Sequence, residues 1–160
     1  MAAIPIKVKQ MIQRQQIIIV GSADRLGLPN ISPRTSFYLD PDGSIYWLEL
    51  FKHKTFRNFQ KNPWCSVTIF EKKKLTGYQI KGKIKIISDK KTKQEVTIRI
   101  IDKLTRLRKQ RILKHTNNKT INVIKFTAQI LYSLNPNKTS YSPLKLNANN
   151  KSLKAANMQW

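Results

Sequence analysis

Short apolar runs separated by turn signals recur along the chain, a pattern typical of antiparallel β-strands. The clearest run covers residues 78–86, where tyrosine, isoleucines and glycine alternate with a glutamine and three lysines. This alternation predicts a strand with one buried face and one solvated face. Five further runs predict strands over residues 15–23, 31–40, 44–51, 64–70 and 121–134.

The segment between the runs at 44–51 and 64–70 carries helical spacing instead. Residues 54–61 place Phe56 and Phe59 on one face, three positions apart along the chain. Pro63 ends the segment, because the residue before a proline is pushed out of helical geometry. The sequence therefore predicts a short helix directly between two strands.

A longer helix is predicted over residues 93–113, where apolar side chains recur at helical spacing. Thr92 and Glu95 form a capping-box signature at its start. Its other face carries four basic residues, Arg99, Lys103, Arg106 and Lys109. Six strands with two or three helices predict a mainly β fold, a small barrel with helices at its ends.

Length and composition indicate one globular domain in a reducing compartment. The chain has 160 residues, of which 40% are hydrophobic. Its one cysteine, Cys65, cannot form a disulfide within the chain, which favours a cytoplasmic location. The apolar stretches near the first residue are too short for a signal peptide or a membrane span, so neither is expected.

The net charge narrows the set of partners. Thirty-one Lys and Arg residues stand against eight Asp and Glu residues, which gives +23 at neutral pH. Such a field attracts nucleic acids and other polyanions, anionic membranes or phosphorylated small molecules. The alternative is a basic surface without any polyanion partner, and composition alone leaves both open. Contact with a nucleic-acid backbone would be independent of base sequence, because the basic helix has few aromatic residues for stacking.

The start of the predicted short helix is a candidate phosphate site. A helix start offers unpaired backbone N–H groups and a partial positive charge. Lys54 and Thr55 lie at this start, with His53 just before them. Arg34 lies on the second predicted strand, after the turn that precedes this strand. An arginine can hold a phosphate with two donors at once. The alternative is that Arg34 and Lys54 are ordinary surface charges.

The order of several motifs resembles the pyridoxamine 5'-phosphate oxidase-like, FMN-binding split-barrel proteins. The motifs are PNISP in the second strand, HKTFRNFQKNP at the strand–helix unit, GYQIKG in the fifth strand and YSLNP at the end of the last strand. The resemblance spans residues 17–136. It implies a six-stranded split β-barrel and a homodimer with two FMN sites at the subunit interface. The barrel domain is expected over residues 1–141, followed by a polar C-terminal tail over 142–160.

The resemblance also implies which residues hold FMN. Lys54 and Thr55 would bind the phosphate beside His53, and Arg34 and Thr35 would line the phosphate and the ribityl chain. The other implied cofactor-binding residues lie around the isoalloxazine ring or support the site: Ser32, Pro33, Leu48, Glu49, Asn58, Gly77, Tyr78 and Gln79.

The chain departs from the oxidase itself at two places. The oxidase has Arg-Lys at the helix start, whereas this chain has Lys54 and Thr55, as do the smaller FMN-binding members. The C-terminal substrate segment of the oxidase has no counterpart, and Trp160 forms no such motif. A general flavin-binding or flavin-reductase role is therefore expected instead of vitamin B6 oxidation.

No catalytic side chain stands out. The only histidines are His53 and His115, which with one cysteine supply no ordinary zinc set, so no metal is expected. Three functions remain open: an FMN-dependent oxidoreductase using NAD(P)H or a small-molecule substrate, a non-catalytic flavin or electron carrier, and a polyanion-binding protein. The deazaflavin F420 or haem, used by some relatives, would compete for the same groove.

Overall fold

A computed structural model describes residues 4–116, 121–137 and 143–144. This part of the chain forms four α-helices, one short 3-10 turn at Lys72–Lys74 and seven β-strands. The helices are α1 Ile6–Gln15, α2 Lys54–Lys61, α3 Lys90–Asp102 and α4 Arg106–Thr116. The strands are β1 Ile18–Ala23, β2 Pro29–Arg34, β3 Phe37–Leu39, β4 Ile45–Glu49, β5 Trp64–Glu71, β6 Thr76–Ile87 and β7 Asn122–Ser133.

The strands form one antiparallel sheet in the order β2-β1-β5-β6-β7-β4-β3. The two edge strands, β2 and β3, follow each other in the chain and are joined only by Thr35 and Ser36. The sheet therefore curls until its edges almost meet, and the Leu48 N–H donates to the Ser36 carbonyl at 3.3 Å near this seam. The curled sheet confirms the predicted split barrel, with seven strands instead of six.

The seventh strand arises because the predicted strand over residues 31–40 is two strands. β2 pairs with β1, whereas β3 pairs with β4 on the opposite edge. Thr35 and Ser36 are neither glycine nor proline, so the sequence gives no turn signal where the chain changes its partner. This break places the backbone of residues 32–36 along the seam of the barrel.

The prediction of a single helix over residues 93–113 was also wrong, because two helices, α3 and α4, occupy this region. The N-cap of α3 is Asp89, whose carboxylate accepts from the Thr92 backbone N–H at 2.7 Å, so the capping box was placed three residues late. Helix α1 was not predicted, and its buried face consists of Val8, Met11 and Ile12.

The barrel interior is filled by large apolar side chains from every layer. Trp47 and Phe126 are fully buried, and the Trp47 ring lies 6.0 Å from Phe59 of α2. A second apolar cluster lies between α3 and strands β4 and β7. The predicted alternation of β6 is confirmed, since Ile80 and Ile84 are buried while its lysines are exposed. The barrel therefore fixes the seam and the start of α2 on a rigid frame.

Three further features bear on the sequence predictions. Burial raises the pKa of the Cys65 thiol to about 12, so this side chain stays a protonated core thiol. No helix in the described ranges is both long and apolar enough to cross a membrane. Beyond β7, the Leu144 N–H donates to the Leu131 carbonyl at 2.7 Å. The other residues of the predicted tail, 142 and 145–160, lie outside the described residues.

Replacement of Gly82 by alanine is expected to destabilise the barrel by about 1–3 kcal/mol, the usual range for overpacking. An added Cβ would lie 2.2 Å from the Thr127 carbonyl oxygen and 2.8 Å from the Phe126 ring. Both neighbours are part of the core strand β7, so neither can move away easily. Urea unfolding measures the change, and an unaltered midpoint would contradict this packing.

Candidate functional site

The start of α2 is fixed to the edge of the sheet by buried polar side chains. Thr55 is buried, and its hydroxyl accepts from Asn30 Nδ2 at 2.9 Å and lies 3.0 Å from Ser32 Oγ. One turn later Asn58 Nδ2 donates to Ser22 Oγ at 3.1 Å. These bonds position the first turn of α2, whose backbone N–H groups lack helical partners, against strands β1 and β2.

Two adjoining cavities lie beside this helix start. The first, here called the strand cavity, has a volume of about 270 Å³ and lies along the seam. It is lined by Ser32, Pro33, Arg34, Thr35, Ser36, Leu48, Glu49, Leu50, Phe51, His53 and Thr55. The second, the helix cavity, has a volume of about 410 Å³ and is lined by Asn30, Ser32, His53, Lys54, Thr55 and Arg57.

The strand cavity contains an internal ion pair. Arg34 Nη2 donates to Glu49 Oε1, and Arg34 Nη1 donates to the Pro33 carbonyl at 2.8 Å. Arg34 Nε is buried and has no hydrogen-bond partner among the described residues. Burial raises the pKa of the Glu49 carboxyl, and the nearby Arg34 opposes this rise. The guanidinium is thus held by the chain's own carboxylate, and Nε is the one of its three nitrogens without a partner among the described residues.

The helix cavity, in contrast to the ion-paired strand cavity, is lined by positive charges without a carboxylate among the described residues. Lys54 and Arg57 both line it, and they lie three positions apart on one face of α2. His53 stands at its border, with its ring stacked on Phe51 at a centroid distance of 5.3 Å. A helix start and two cations make this cavity suitable for an anion such as a phosphate.

The pair of cavities fits the predicted cofactor in chemical terms. A phosphate suits the cationic helix cavity. The strand cavity offers apolar contacts from Leu48, Leu50 and Phe51 to a flat ring, and the partly exposed Arg34 guanidinium offers a donor to a ring acceptor. In addition, β2 is an edge strand of the sheet that the described residues form, so alternate backbone groups along it have no strand partner within that sheet.

Nine of the thirteen predicted site residues line one or both cavities. They are Ser32, Pro33, Arg34, Thr35, Leu48, Glu49, His53, Lys54 and Thr55. Asn58 lines neither cavity but supports α2 from behind. The pairing of Arg34 with Glu49 engages the arginine that was predicted to line the phosphate.

Gly77, Tyr78 and Gln79 are not brought to these cavities within one chain. They lie on β6, where Gln79 is opposite Thr68 of β5. Thr68 is opposite Ile19 of β1, and Ile19 is opposite Pro33 of β2. Three strand spacings, about 14 Å, therefore separate Gln79 from Pro33. Tyr78 packs against the barrel core.

Five cavity residues were missed from the sequence: Asn30, Ser36, Leu50, Phe51 and Arg57. Two of them follow simple spacing rules. Asn30 shares a strand face with Ser32, and Arg57 shares a helix face with Lys54. Ser36 and Leu50 are each next to a predicted residue, and Phe51 is two positions from Glu49 and from His53, but none of the three belongs to a motif.

Comparison with known proteins identifies the family of the chain. A family model of pyridoxamine 5'-phosphate oxidase matches residues 4–134. No curated protein sequence matches the chain. Solved structures with a similar fold include HupZ from Group A Streptococcus, at 19% identity and a TM-score of 0.67, covering 89% of this chain and 99% of that one.

Two further similar structures carry different ligand descriptions. HutZ from Vibrio cholerae, described as a heme storage protein, is 15% identical with a TM-score of 0.62 and covers 81% of this chain and 94% of that one. A pyridoxamine 5'-phosphate oxidase-related, FMN-binding protein from Nostoc punctiforme is 10% identical with a TM-score of 0.62. The alignment covers 79% of this chain and 81% of that one. These likenesses show the fold, and the family match spans most of the chain. The protein therefore belongs to the pyridoxamine 5'-phosphate oxidase family.

Proposed function

We propose that this protein binds FMN in the two adjoining cavities and acts as an FMN-dependent oxidoreductase. The observation that carries the proposal is the contrast between the cavities. The helix cavity presents Lys54 and Arg57 at a helix start, and the strand cavity presents apolar walls and a neutralised ion pair. FMN has the same asymmetry, with a dianionic phosphate at one end and a flat uncharged ring at the other.

The phosphate end is assigned to the helix cavity. Backbone N–H groups of the first turn of α2 and the Lys54 ammonium donate to the phosphate oxygens. Thr55 acts mainly through position, because its hydroxyl is already shared with Asn30 and Ser32. The hydrogen bonds around Thr55 hold the donors in place before the ligand arrives, which lowers the entropy lost on binding.

The ring end is assigned to the strand cavity. Leu48 and Leu50 exclude water from the ring, and unpaired backbone groups of β2 meet its polar edge. When bound, FMN supplies the redox chemistry, a hydride or an electron transfer. The protein contributes binding, orientation and local charge, and NAD(P)H or a small organic molecule is the expected reductant or substrate.

A homodimer with the site at its interface is part of the proposal. The outer face of the sheet exposes apolar side chains, among them Ile31, Trp64 and Phe70, with Ile31 73% exposed. A two-fold axis running along the strands between β1 and β5 would lay the partner's β6 over β2. In that arrangement a second copy brings its own Gly77–Gln79 segment near the strand cavity, which one chain alone does not do.

The absorbance spectrum of the protein as purified tests the proposal. Two-banded flavin absorption, with FMN released on denaturation and identified by mass, is the expected result. Bleaching of these bands by NADH or NADPH would distinguish an oxidoreductase from a carrier that is not reduced by nicotinamides. A protein that is colourless and stays colourless after incubation with FMN would refute the assignment.

Haem is the second candidate ligand of the same cavities. It is favoured by His53, which borders both cavities and offers an imidazole, a common haem ligand. The fold is also shared with HutZ, described as a heme storage protein. A Soret band that appears on adding haemin and is lost in His53→Ala would support haem. Flavin-like absorption bands from a released ligand that is identified as a deazaflavin would instead indicate F420.

The net charge of +23 favours a polyanion as a further partner. The basic side chains of α3 and α4 supply the surface for it, and contact would be limited to the phosphate backbone. DNA retention that falls steeply with salt, without loss of cofactor, would support this additional role. Retention that is insensitive to salt would exclude it.

A further inference from the structure

We infer that Glu49 is a specificity-determining residue that closes the strand cavity to anions and so fixes the direction in which a phosphate-bearing ligand lies. This inference deepens the proposed function and rests on it for the identity of the ligand. The alternative role, in which Glu49 is merely one wall of the ring pocket, predicts no effect on anions.

The first step concerns the environment of Glu49. It is the last residue of β4, is 5% exposed and still lines the strand cavity. A buried carboxylate is unfavourable unless a cation and hydrogen bonds compensate it. Arg34 from β2, the edge strand across the seam, provides both, and His53 is the other titratable group that acts on Glu49. The pair is thus a fixed feature of the cavity and not a surface ion pair.

The second step concerns Arg34 without its partner. An arginine has five N–H donors in a rigid fork that matches phosphate. Glu49 and the Pro33 carbonyl engage its two terminal nitrogens, and the buried Nε remains unpartnered among the described residues. If Glu49 were uncharged, Arg34 would make the strand cavity a second phosphate site and compete with the helix cavity.

The third step concerns the two cavities together. An anion that approaches Arg34 also approaches the Glu49 carboxylate, and burial reduces the screening of that repulsion. The helix cavity has Lys54 and Arg57 and no lining carboxylate in the described part of the chain. A ligand with one phosphate therefore binds with the phosphate at α2 and its uncharged end at β2 and β4.

The same pair selects the uncharged end. The terminal nitrogens of Arg34 keep further N–H donors that can bind a carbonyl, and the second oxygen of Glu49 can accept from an N–H beside it. The preferred class is a mononucleotide-like molecule whose ring edge carries adjacent carbonyl and N–H groups. Molecules with an anion at each end are selected against.

Phosphate titration followed by NMR tests the inference without any flavin. In the wild-type protein, inorganic phosphate is expected to shift the backbone amide signals of Lys54 and Thr55 and to leave the Arg34 Nε–H signal unchanged. In Glu49→Gln, the Arg34 signal should also shift, with phosphate affinity there at least about tenfold higher than in wild type. A wild-type Arg34 signal that responds like Lys54, or a silent Arg34 in Glu49→Gln, would overturn the inference.

Glu71→Gln is the matched control. It removes a carboxylate of the same kind, ion-paired with Arg14 at 3.4 Å, but outside both cavities. It should leave the Arg34 signal as in wild type. If it produced the same response as Glu49→Gln, the effect would be one of net charge alone and the inference would fail.

Acidification of the wild-type protein provides a second measurement that needs no variant. The folded-state pKa of Glu49 is raised, so its charge is lost as the pH falls through that pKa. Phosphate remains an anion over this range, so the Arg34 signal should become responsive as Glu49 is protonated. An Arg34 signal that stays silent after Glu49 has titrated would contradict the inference.

The outcomes separate the two proposals. Phosphate responses as expected in a protein that binds no FMN would refute the proposed cofactor and keep the role of Glu49. FMN binding together with an unresponsive Arg34 in Glu49→Gln would do the reverse.

Discussion

Replacement of Lys54 by alanine is expected to lower the affinity for FMN by at least about tenfold. Lys54 adds a full positive charge to the N–H groups at the start of α2, where the helix dipole also favours an anion. A hydrogen bond to a charged group contributes about 1.5–3 kcal/mol, which corresponds to roughly tenfold or more in affinity. Titration of apoprotein with FMN, followed by quenching of flavin fluorescence, measures the change.

Lys61→Ala is the control for this experiment. Lys61 is exposed at the other end of the same helix and lines neither cavity. The substitution removes the same charge from the same helix. The affinity of the variant for FMN should therefore stay within about twofold of wild type, the scale of distant screened charges. Equal losses in the two variants would mean that FMN responds to net charge and not to the helix cavity.

Replacement of Ile100 by alanine is expected to lower the free energy of unfolding by about 2–5 kcal/mol. Ile100 lies on α3, is 0% exposed and belongs to the apolar cluster that covers β4 and β7. The change leaves a cavity between the helix and the sheet. Urea unfolding of the purified protein measures the loss.

Ile98→Ala provides a matched comparison on the same helix. Ile98 is 59% exposed, so removal of its side chain should change stability by no more than about 0.5 kcal/mol. A large loss in Ile98→Ala and a small one in Ile100→Ala would show that α3 packs with a different face. Two equal losses would remove the basis for the second apolar cluster.

Local patterns were sufficient for much of the fold. The alternation along β6 and the bounds of α2 follow from spacing, since one face of each element packs on the core while the other meets solvent. The break between β2 and β3 could not be read in this way. It depends on which strand each segment pairs with, and that is set by closure of the whole sheet.

Helix α1 and the break between α3 and α4 were not predicted from the sequence, for a related reason. Val8, Met11 and Ile12 have helical spacing, but the lysines and glutamines around them leave no apolar run that stands out in the sequence. The break between α3 and α4 contains neither proline nor glycine. Helix α3 therefore ends without a local breaker, and its buried residues Val96 and Ile100 pack on the sheet.

The candidate site was predictable where its residues are close in sequence. His53, Lys54 and Thr55 are consecutive, so one motif is sufficient to identify the helix start. The ion pair between Arg34 and Glu49 joins residues fifteen positions apart through the seam of the barrel. No spacing rule connects them, and the sequence therefore suggested a free arginine for phosphate where the fold supplies a counter-charge.

The comparison of FMN with riboflavin tests the central claim most directly, since the two ligands differ only in the phosphate. The account predicts that the protein binds FMN at one site per chain and binds riboflavin at least about tenfold more weakly, because the helix cavity is then left without its anion. Equal affinities for the two ligands, or no binding of either, would contradict it.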